Sequence, residues 1–315
     1  MFDLERAWRW REATGWFEKT QVLRVFHGPG EGTGGLQKIA VDRFGDYYWM
    51  TQWERDFSPE LSSIVQFFQS KGALCMVGVK RPRHGIASEA QVLFGSPPLD
   101  GFPVEEGACQ YWIQFQKTRH PGLFLDHEPL RDWLFKRVRG LRILNTFAYT
   151  GSLSVSAAQG GAKQVITLDL SRSAIEWSKK NFSLNRLDLQ KHQWIVGDVF
   201  EWLCRLKRSK EIFDCIILDP PSFSRGKEGR FSTARDLEKL HRLALDVLSA
   251  EGYLITSINS AQVSWSQYES AILAAAQNQM GFKVIQSIEL PETFPTCFGQ
   301  ESTRYLKGWI LKRTF

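Results

Sequence analysis

The stretch from Phe213 to Pro221 constrains the fold of this chain more than any other. Its first part, Phe213-Asp214-Cys215-Ile216-Ile217-Leu218, is mostly apolar without alternation, as in a parallel strand that is covered on both faces. Asp219-Pro220-Pro221 then ends the strand, because proline fixes the backbone and lacks a donor. Open α/β sheets bind ligands at the carboxyl ends of their strands. The stretch therefore predicts a nucleobase or cofactor site at Asp219.

The rest of the composition is that of an ordinary globular chain. It has 315 residues, 43% of them hydrophobic, and no stretch reaches the roughly 18 consecutive apolar residues of a membrane span. The first residues lack the basic-then-apolar order of a secretory signal, so we expect a cytoplasmic protein without a membrane partner. The five cysteines and six histidines lack metal-ligand spacing, so no metal is predicted. The net charge of +6 permits a polyanionic partner.

The pattern of segments changes near residue 107. Residues 1–106 contain short strand-like segments and one helical segment, which predicts a small α+β module. Its run Arg6-Ala7-Trp8-Arg9-Trp10-Arg11 suits RNA contact or an amphipathic helix that packs its tryptophans. The glycines between Gly28 and Gly35 predict a hairpin loop, since no Gly-Lys-Ser/Thr follows them. Residues 107–315 alternate apolar strands with helix-length segments, which predicts a doubly wound, mostly parallel sheet.

Three acidic residues each follow a predicted strand of the second domain: Asp169, Asp198 and Asp219. Because parallel strands end at the same edge, we expect the three carboxylates at one site, although each alone could be a helix cap or a turn residue. The turn after the first strand has Gly151 alone, whereas a pyrophosphate site has Gly-x-Gly-x-x-Gly. A ligand with a ribose and an adenine but no phosphate suits this turn. S-adenosylmethionine is such a ligand, with Asp169 on its ribose and Asp198 on its adenine amino group.

Several motifs resemble those of class I methyltransferases of the bacterial 23S ribosomal RNA family (Rlm-type). They are Gly122-Leu123-Phe124-Leu125-Asp126-His127, Asn145-Thr146-Phe147-Ala148-Tyr149-Thr150-Gly151, Asp169-Leu170-Ser171-Arg172, Asp219-Pro220-Pro221-Ser222-Phe223-Ser224 and Tyr305-Leu306-Lys307-Gly308-Trp309. The likeness is greatest to the guanine-N7 half of the bifunctional large-subunit enzyme, followed by the cytosine-C5 enzymes. It implies a seven-strand Rossmann-like catalytic domain behind a small α+β module. We expect the chain to lack the small RNA-binding domain that many single-chain members of this family carry at the amino terminus.

The resemblance also implies a cofactor site. Its residues, besides Asp169 and Asp198, would be Phe124, Asp126, Arg131, Asn145, Phe147, Tyr149, Thr150, Gly151, Ser171, Val199 and Asp219. Where the family often has arginine after the Leu-Asp-His element, this chain has Glu128, so a carboxylate-binding role would pass to Arg131.

The chemistry of the acceptor favours a nitrogen atom. Methylation of cytosine at C5 needs a nucleophile that adds at C6, normally a cysteine thiolate. The segment in which the C5 enzymes carry their cysteine reads Thr256-Ser257-Ile258-Asn259-Ser260 here. Phe223 could stack on the target base, and Asp219, the Pro220 carbonyl and Asn259 could bind its edge. Alternatively, Phe223 is a core residue and Asn259 a turn residue.

These observations predict an S-adenosylmethionine-dependent methyltransferase that acts on a base nitrogen, guanine in 23S ribosomal RNA. A second hypothesis keeps the cofactor and changes the acceptor to another RNA, a protein or a small molecule. A third is a non-catalytic RNA-binding or cofactor-sensing protein on the same fold. A homodimer is compatible with the sequence.

Overall fold

The chain forms two compact units in the computed structural model. The structure describes residues 1–53, 60–81, 88–116, 118–221, 223–226, 229–260, 263–276, 281–300 and 303–314, without the side chains of residues 223–234. The first unit contains Met1–Glu128 and Leu290–Arg304, and the second contains Pro129–Glu289 and Tyr305–Phe315.

The first unit is an α+β module around one sheet. Its helices are α1 (Phe2–Ala13), α2 (Trp16–Lys19), α3 (Gly28–Glu31) and α4 (Leu61–Ser70). Its strands are β1 (Val22–His27), β2 (Ile39–Phe44), β3 (Tyr47–Gln52), β4 (Cys75–Lys80), β5 (Gln91–Gly95), β6 (Phe102–Glu106) and β7 (Cys109–Ile113). Strands β1 to β5 form a sheet in chain order, with β3 and β4 parallel across the α4 crossover. The core of the unit includes Trp8 of α1, Ile64 and Phe68 of α4, and Met50 and Met76 of the sheet.

The units do not divide at the expected residue. Strands β6 and β7 pair as an antiparallel hairpin, from Phe102 opposite Ile113 to Glu106 opposite Cys109. A division after residue 106 would separate these paired strands, and the compact units divide after Glu128 instead. Residues 290–304, far away in sequence, also belong to the first unit.

Residues 290–304 are anchored in the first unit by a buried arginine. The guanidinium of Arg11, with 0% of the residue exposed, donates to the Thr293 carbonyl at 2.9 Å and to both carboxylate oxygens of Glu31. The neighbouring Gly30 lies so close to the Pro295 carbonyl that a Cβ atom would overlap it. The glycine-rich segment connects the antiparallel strands β1 and β2, as expected of a hairpin loop, and it contains α3 and a 3-10 turn (Gly34–Lys38).

The second unit is a three-layer α/β domain. Its helices are α5 (Glu128–Arg137), α6 (Ser152–Gln159), α7 (Arg172–Leu184), α8 (Val199–Arg208), α9 (Thr233–Leu245) and α10 (Trp265–Ala276). Its strands are β8 (Arg142–Thr146), β9 (Gln164–Asp169), β10 (Gln193–Val196), β11 (Phe213–Leu218), β12 (Phe223–Gly226), β13 (Gly229–Ser232), β14 (Leu248–Asn259), β15 (Phe282–Ser287) and β16 (Leu306–Arg313).

The main sheet of this unit confirms the predicted Rossmann-like architecture. Its seven strands have the order β10-β9-β8-β11-β14-β16-β15, and only the β16 pairings are antiparallel within it. The apolar run that ends at Leu218 forms β11, in which Cys215 to Leu218 are fully buried. We call the edge where β8, β9, β10, β11 and β14 end the carboxyl edge, and the opposite edge, where they begin, the amino edge.

Membrane-spanning helices and metal-binding clusters are both absent from the residues that the structure describes. No helix among them is long and apolar enough to cross a membrane. No group of three or more histidine, cysteine, aspartate or glutamate side chains among them is arranged to hold a metal ion.

Candidate active site

The turn between β8 and α6 is conformationally strained. Phe147, Tyr149 and Gly151 have φ values of 54°, 49° and 73°, a region that non-glycine residues rarely adopt. A Cβ atom at Gly151 would overlap the hydroxyl of Ser178 on α7, so glycine is needed at this position. The amide of Asn181, also on α7, donates to the Thr150 carbonyl at 2.9 Å and holds the turn in place. Backbone strain of this kind is often retained where a turn meets a ligand.

Asp169 connects this turn to the end of β9. Its Oδ2 accepts a hydrogen bond from the Tyr149 backbone N–H and its Oδ1 one from the Ser171 N–H, both at 2.8 Å. A carboxylate has about four lone-pair positions, so two remain for a ligand. The side chain is half-buried at the carboxyl edge, where a ribose diol can reach it.

Asp198 combines a structural role with a vacant acceptor. Its Oδ1 accepts from the N–H groups of Phe200 and Glu201 and caps α8, and the buried Val199 is the first residue of that helix. Its Oδ2 makes no hydrogen bond to any residue that the structure describes. The helix-cap interpretation and the adenine-binding hypothesis are therefore compatible.

Asp219 is held by a residue that the sequence reasoning missed. Ser257 Oγ, at the end of β14, donates to Asp219 Oδ1 at 2.6 Å, next to the parallel pairing of Leu218 with Thr256. Asn259 lies two residues beyond Ser257 on the same face of the strand and is exposed. Because Ser257 precedes Asn259 by one strand repeat, the alternation of β14 could have identified it.

The structure brings most of the expected residues to the carboxyl edge. Pro220 is buried directly after Asp219. The Asn145 side chain is 1% exposed and donates to Ser154 Oγ at 2.9 Å, so it anchors the start of the turn, and its contact with a ligand stays a prediction. Arg131 is buried on α5. The backbone of Phe223 begins β12, and its side chain lies outside the described residues.

Two expected cofactor residues belong to the first unit. Phe124 is 44% exposed and stacks on His120 with 3.9 Å between ring centroids. Asp126 is buried in a 3-10 turn (Leu125–His127). Their contact with the cofactor stays a prediction.

A buried hydrogen-bond chain supports β14 beneath Ser257. His241 Nδ1 donates to the Leu237 carbonyl at 2.7 Å, so its Nε2 is the acceptor for Thr256 Oγ1 at 2.8 Å. The Tyr268 hydroxyl then donates to Thr256. Burial lowers the pKa of His241 to about 4, which keeps the ring neutral. The chain ties α9 and α10 to the strand that carries Ser257, and no sequence motif indicated it.

The second unit offers no thiol at the carboxyl edge. Its two cysteines are Cys204 and Cys215. Cys215 is fully buried within β11, and burial raises the pKa of its thiol, as expected for an inert residue. Cys204 lies in the middle of α8 and faces solvent.

These residues fit S-adenosylmethionine better than a dinucleotide. The Tyr149 N–H, which a phosphate-binding turn would present to its ligand, is already bonded to Asp169. Asp169 and Asp198 have no cationic partner in the described part of the chain, so both carboxylates can accept from hydroxyl and amino groups. A ribose and an adenine offer those donors.

Comparisons with known proteins show the family of the chain. The model of the S-adenosylmethionine-dependent methyltransferase family matches residues 23–306. The chain is 28% identical over 302 residues to the "Putative ribosomal RNA large subunit methyltransferase YwbD" of Bacillus subtilis, covering 94% of this chain and 76% of that protein. It is 27% identical over 315 residues to the ribosomal RNA large subunit methyltransferase I of Citrobacter koseri, covering 98% and 79%.

A solved structure of a putative methyltransferase is also similar to this chain. The crystal structure described as "SMU.776, a putative methyltransferase complexed with SAH" superposes with a TM-score of 0.87 at 28% identity, covering 99% of this chain and 81% of that one. The family expected from the motifs is thus confirmed. The chain belongs to the S-adenosylmethionine-dependent methyltransferase family and is an enzyme that uses this cofactor as its methyl donor.

Proposed function

We propose that this enzyme methylates a ring nitrogen of guanine in the RNA of the large ribosomal subunit. The observation that carries the proposal is the pairing of Ser257 with Asp219, which holds an acid beside an exposed asparagine, Asn259, where a C5 enzyme would need a thiol. Relatives that match nearly the whole chain are named for ribosomal RNA of the large subunit. Those names support the RNA class and leave the target base open.

The absence of a thiol from the carboxyl edge of the second unit argues against carbon as the acceptor. C5 of cytosine becomes sufficiently nucleophilic only after a nucleophile adds to C6. Cys215 is enclosed in β11 and Cys204 lies on the outer face of α8, so neither can supply that nucleophile. An unprotonated ring nitrogen such as guanine N7 already carries an in-plane lone pair and needs mainly to be aligned with the methyl group.

The cofactor would be held by residues at the ends of three strands. Asp169 would accept from the ribose hydroxyls, and Asp198 Oδ2 from the adenine amino group. The turn from Phe147 to Gly151 would lie against the cofactor. When bound, S-adenosylmethionine supplies an activated methyl group. The main catalytic contribution of the protein is then to orient the base so that its lone pair points at that methyl group.

The acceptor side suits the edge of guanine. Guanine offers two neighbouring N–H donors and one carbonyl acceptor on its pairing edge. The Asp219 carboxylate and the Pro220 carbonyl can accept from the donors, while the Asn259 amide can donate to the carbonyl. Cytosine offers a single amino donor there. Since a paired base cannot reach these groups, the target guanine must be unpaired or flipped out of its helix.

The decisive experiment identifies the methylated nucleoside. Unmodified 23S ribosomal RNA transcript is incubated with the enzyme and S-adenosylmethionine that carries a labelled methyl group, and the RNA is then digested and analysed by mass spectrometry. We expect the label in a ring-methylated guanosine, and none with the Asp219→Ala variant. Label in 5-methylcytidine, in a protein, or in no product would overturn the proposal.

A further inference from the structure

The amino edge of the second unit carries a surplus of exposed positive charge. Cationic side chains at this edge are exposed and make no hydrogen bond or ion pair with the described residues: Arg137, Arg139, Lys163, Arg186, Lys191, Arg208, Lys210 and Lys283. Their number exceeds the net charge of +6 of the whole chain. This edge, which lies opposite the active site, therefore carries a row of exposed positive charges.

The acidic residues at this edge neutralise only part of the surplus. Four of them are already paired with other cations: Asp132 with Lys136, Glu211 with Arg142, Asp246 with Lys207, and Glu251 with Lys312. Two more, Asp188 and Asp214, accept hydrogen bonds from backbone N–H groups. The unpaired cations repel one another, and a bound anion would relieve that repulsion.

Two of these cations occupy backbone positions that favour glycine. Helices α6, α7 and α8 all end at the amino edge with the same hydrogen-bond pattern, in which the second residue after the helix is left-handed. In α6 that residue is Gly161, with φ 89°. In α7 it is Arg186, with φ 56°, and in α8 it is Lys210, with φ 57°. A charge is thus kept at two positions where glycine would be less strained.

The cations are spread too widely for a small anion. They extend from Lys191, directly before β10 at one side of the sheet, to Lys283 in β15 at the other. Neighbouring strands lie about 4.8 Å apart, so this row spans roughly 30 Å. An anion that contacts the whole row must be extended and carry many charges.

We propose that the amino edge of the second unit binds phosphate groups of the RNA substrate, away from the nucleotide that is methylated. This inference rests on the proposed function. Strands β8, β9 and β11, which run between the two edges, are five or six residues long, so the edges lie roughly 20 Å apart. The preferred substrate is then a folded RNA large enough to reach both edges, and a short single-stranded oligonucleotide is a poor one.

The left-handed positions allow a test that separates binding from folding. In the double variant Arg186→Gly/Lys210→Gly, glycine relieves the strain, so the thermal unfolding midpoint should stay the same or rise. Binding of a fluorescein-labelled RNA duplex is measured over a range of salt concentrations. Each lost phosphate contact reduces the slope of log K against log salt by about 0.7 to 0.9, so the slope should become shallower by about 1.5.

Glu251→Gly is the matched control. Glu251 also has a left-handed backbone, with φ 61°, and its loss frees Lys312. It should have the same favourable effect on stability and leave RNA binding unchanged or stronger. Methylation of the 23S transcript by the unaltered enzyme is measured in parallel.

If the unaltered enzyme methylates the RNA but the salt slope of the double variant is unchanged, the amino-edge proposal alone would be wrong. If the amino edge bound vesicles of anionic phospholipid and not the RNA duplex, the proposal would also be wrong. Failure of the unaltered enzyme to methylate RNA would instead overturn the proposed function.

Discussion

Ser257 Oγ donates a 2.6 Å hydrogen bond to Asp219 Oδ1, and this contact joins the carboxyl ends of β14 and β11. It fixes the orientation of the acid that follows the apolar strand. Because Asn259 follows on the same face of β14, the serine also sets the distance between the two groups that we assign to the target base. Residues from two neighbouring strands thus bear on a single nucleobase: Asp219 follows β11, and Ser257 and Asn259 belong to β14.

Replacement of this serine should affect catalysis more than cofactor binding. Hydrogen bonds to charged groups contribute about 1.5–3 kcal/mol, so we expect Ser257→Ala to lower kcat by roughly 10- to 100-fold. The dissociation constant for S-adenosylmethionine, measured by calorimetry, should stay unchanged. Ser257→Thr retains the hydroxyl and should recover part of the activity. Full activity of Ser257→Ala would contradict the positioning role.

Removal of the Asp169 carboxylate should weaken cofactor binding. Asp169→Ala removes both the ribose acceptor and the hydrogen bond that holds the Tyr149 N–H, so we expect at least about tenfold weaker binding of S-adenosylmethionine in calorimetry. Asp188→Ala is a suitable control, since Asp188 accepts the same kind of hydrogen bond from a residue two positions later at the amino edge. An unaltered affinity of Asp169→Ala would rule out the ribose contact.

The two roles of Asp198 can be separated by a serine. Serine caps helices about as well as aspartate, so Asp198→Ser should leave the free energy of unfolding within about 0.5 kcal/mol of the original value. It lacks the second carboxylate oxygen, however, and should bind S-adenosylmethionine roughly tenfold more weakly. Chemical denaturation and calorimetry measure the two quantities. If Asp198→Ser kept full affinity, Asp198 would be a helix cap only.

Gly151 should tolerate no side chain. Gly151→Ala places a methyl group against Ser178 in a left-handed conformation, and we expect a loss of about 2–4 kcal/mol in the free energy of unfolding in urea. Ser178→Ala is the informative comparison. The Ser178 hydroxyl is buried without a hydrogen-bond partner in the described residues, so its removal should be neutral or slightly stabilising. A strong loss on Ser178→Ala would indicate that this hydroxyl has a partner.

The buried His241 should make the protein less stable in weak acid. Its pKa is about 4 in the folded chain and close to 6.5 in the unfolded chain. Between these values only the unfolded chain takes up the proton, so the free energy of unfolding should fall as the pH decreases from about 6.5 to 4, by up to about 3 kcal/mol. Burial also lowers the pKa of His27 and His120, to about 2 and 3, which adds to the same trend.

The His241→Gln variant isolates this contribution. Glutamine keeps an acceptor for Thr256 and does not titrate, so denaturation curves between pH 7 and 4 should show a smaller loss of stability than in the original protein. An identical pH dependence would mean that His241 does not remain neutral in the folded chain.

The residues that could be predicted from the sequence are those whose signal is local. The unbroken apolar run before Asp219 indicates a buried parallel strand, and the acids after β9, β10 and β11 follow directly from where the strands end. The left-handed turn at Gly151 is marked by its glycine. In each case neighbouring residues contain the information.

The features that escaped prediction depend on partners distant in the sequence. Ser257 acquires its role because β14 lies beside β11, and the Thr256 hydroxyl because α9 places His241 beneath it. We expected the domain boundary at residue 106 because neither the pairing of β6 with β7 nor the hydrogen bond from Arg11 to Thr293 is visible in the sequence. A local sequence pattern cannot indicate a contact such as that of Arg11 with Thr293, which are 282 residues apart.

Because Leu290–Arg304 belongs to the first unit, neither unit is a single continuous segment of the chain. The chain passes between the units three times, after Glu128, after Glu289 and after Arg304. Neither unit is therefore encoded by one uninterrupted stretch of gene, and a single recombination event cannot exchange one for the unit of a relative. A protease must likewise cut at three junctions to release them. The two units are expected to be gained, lost and duplicated together.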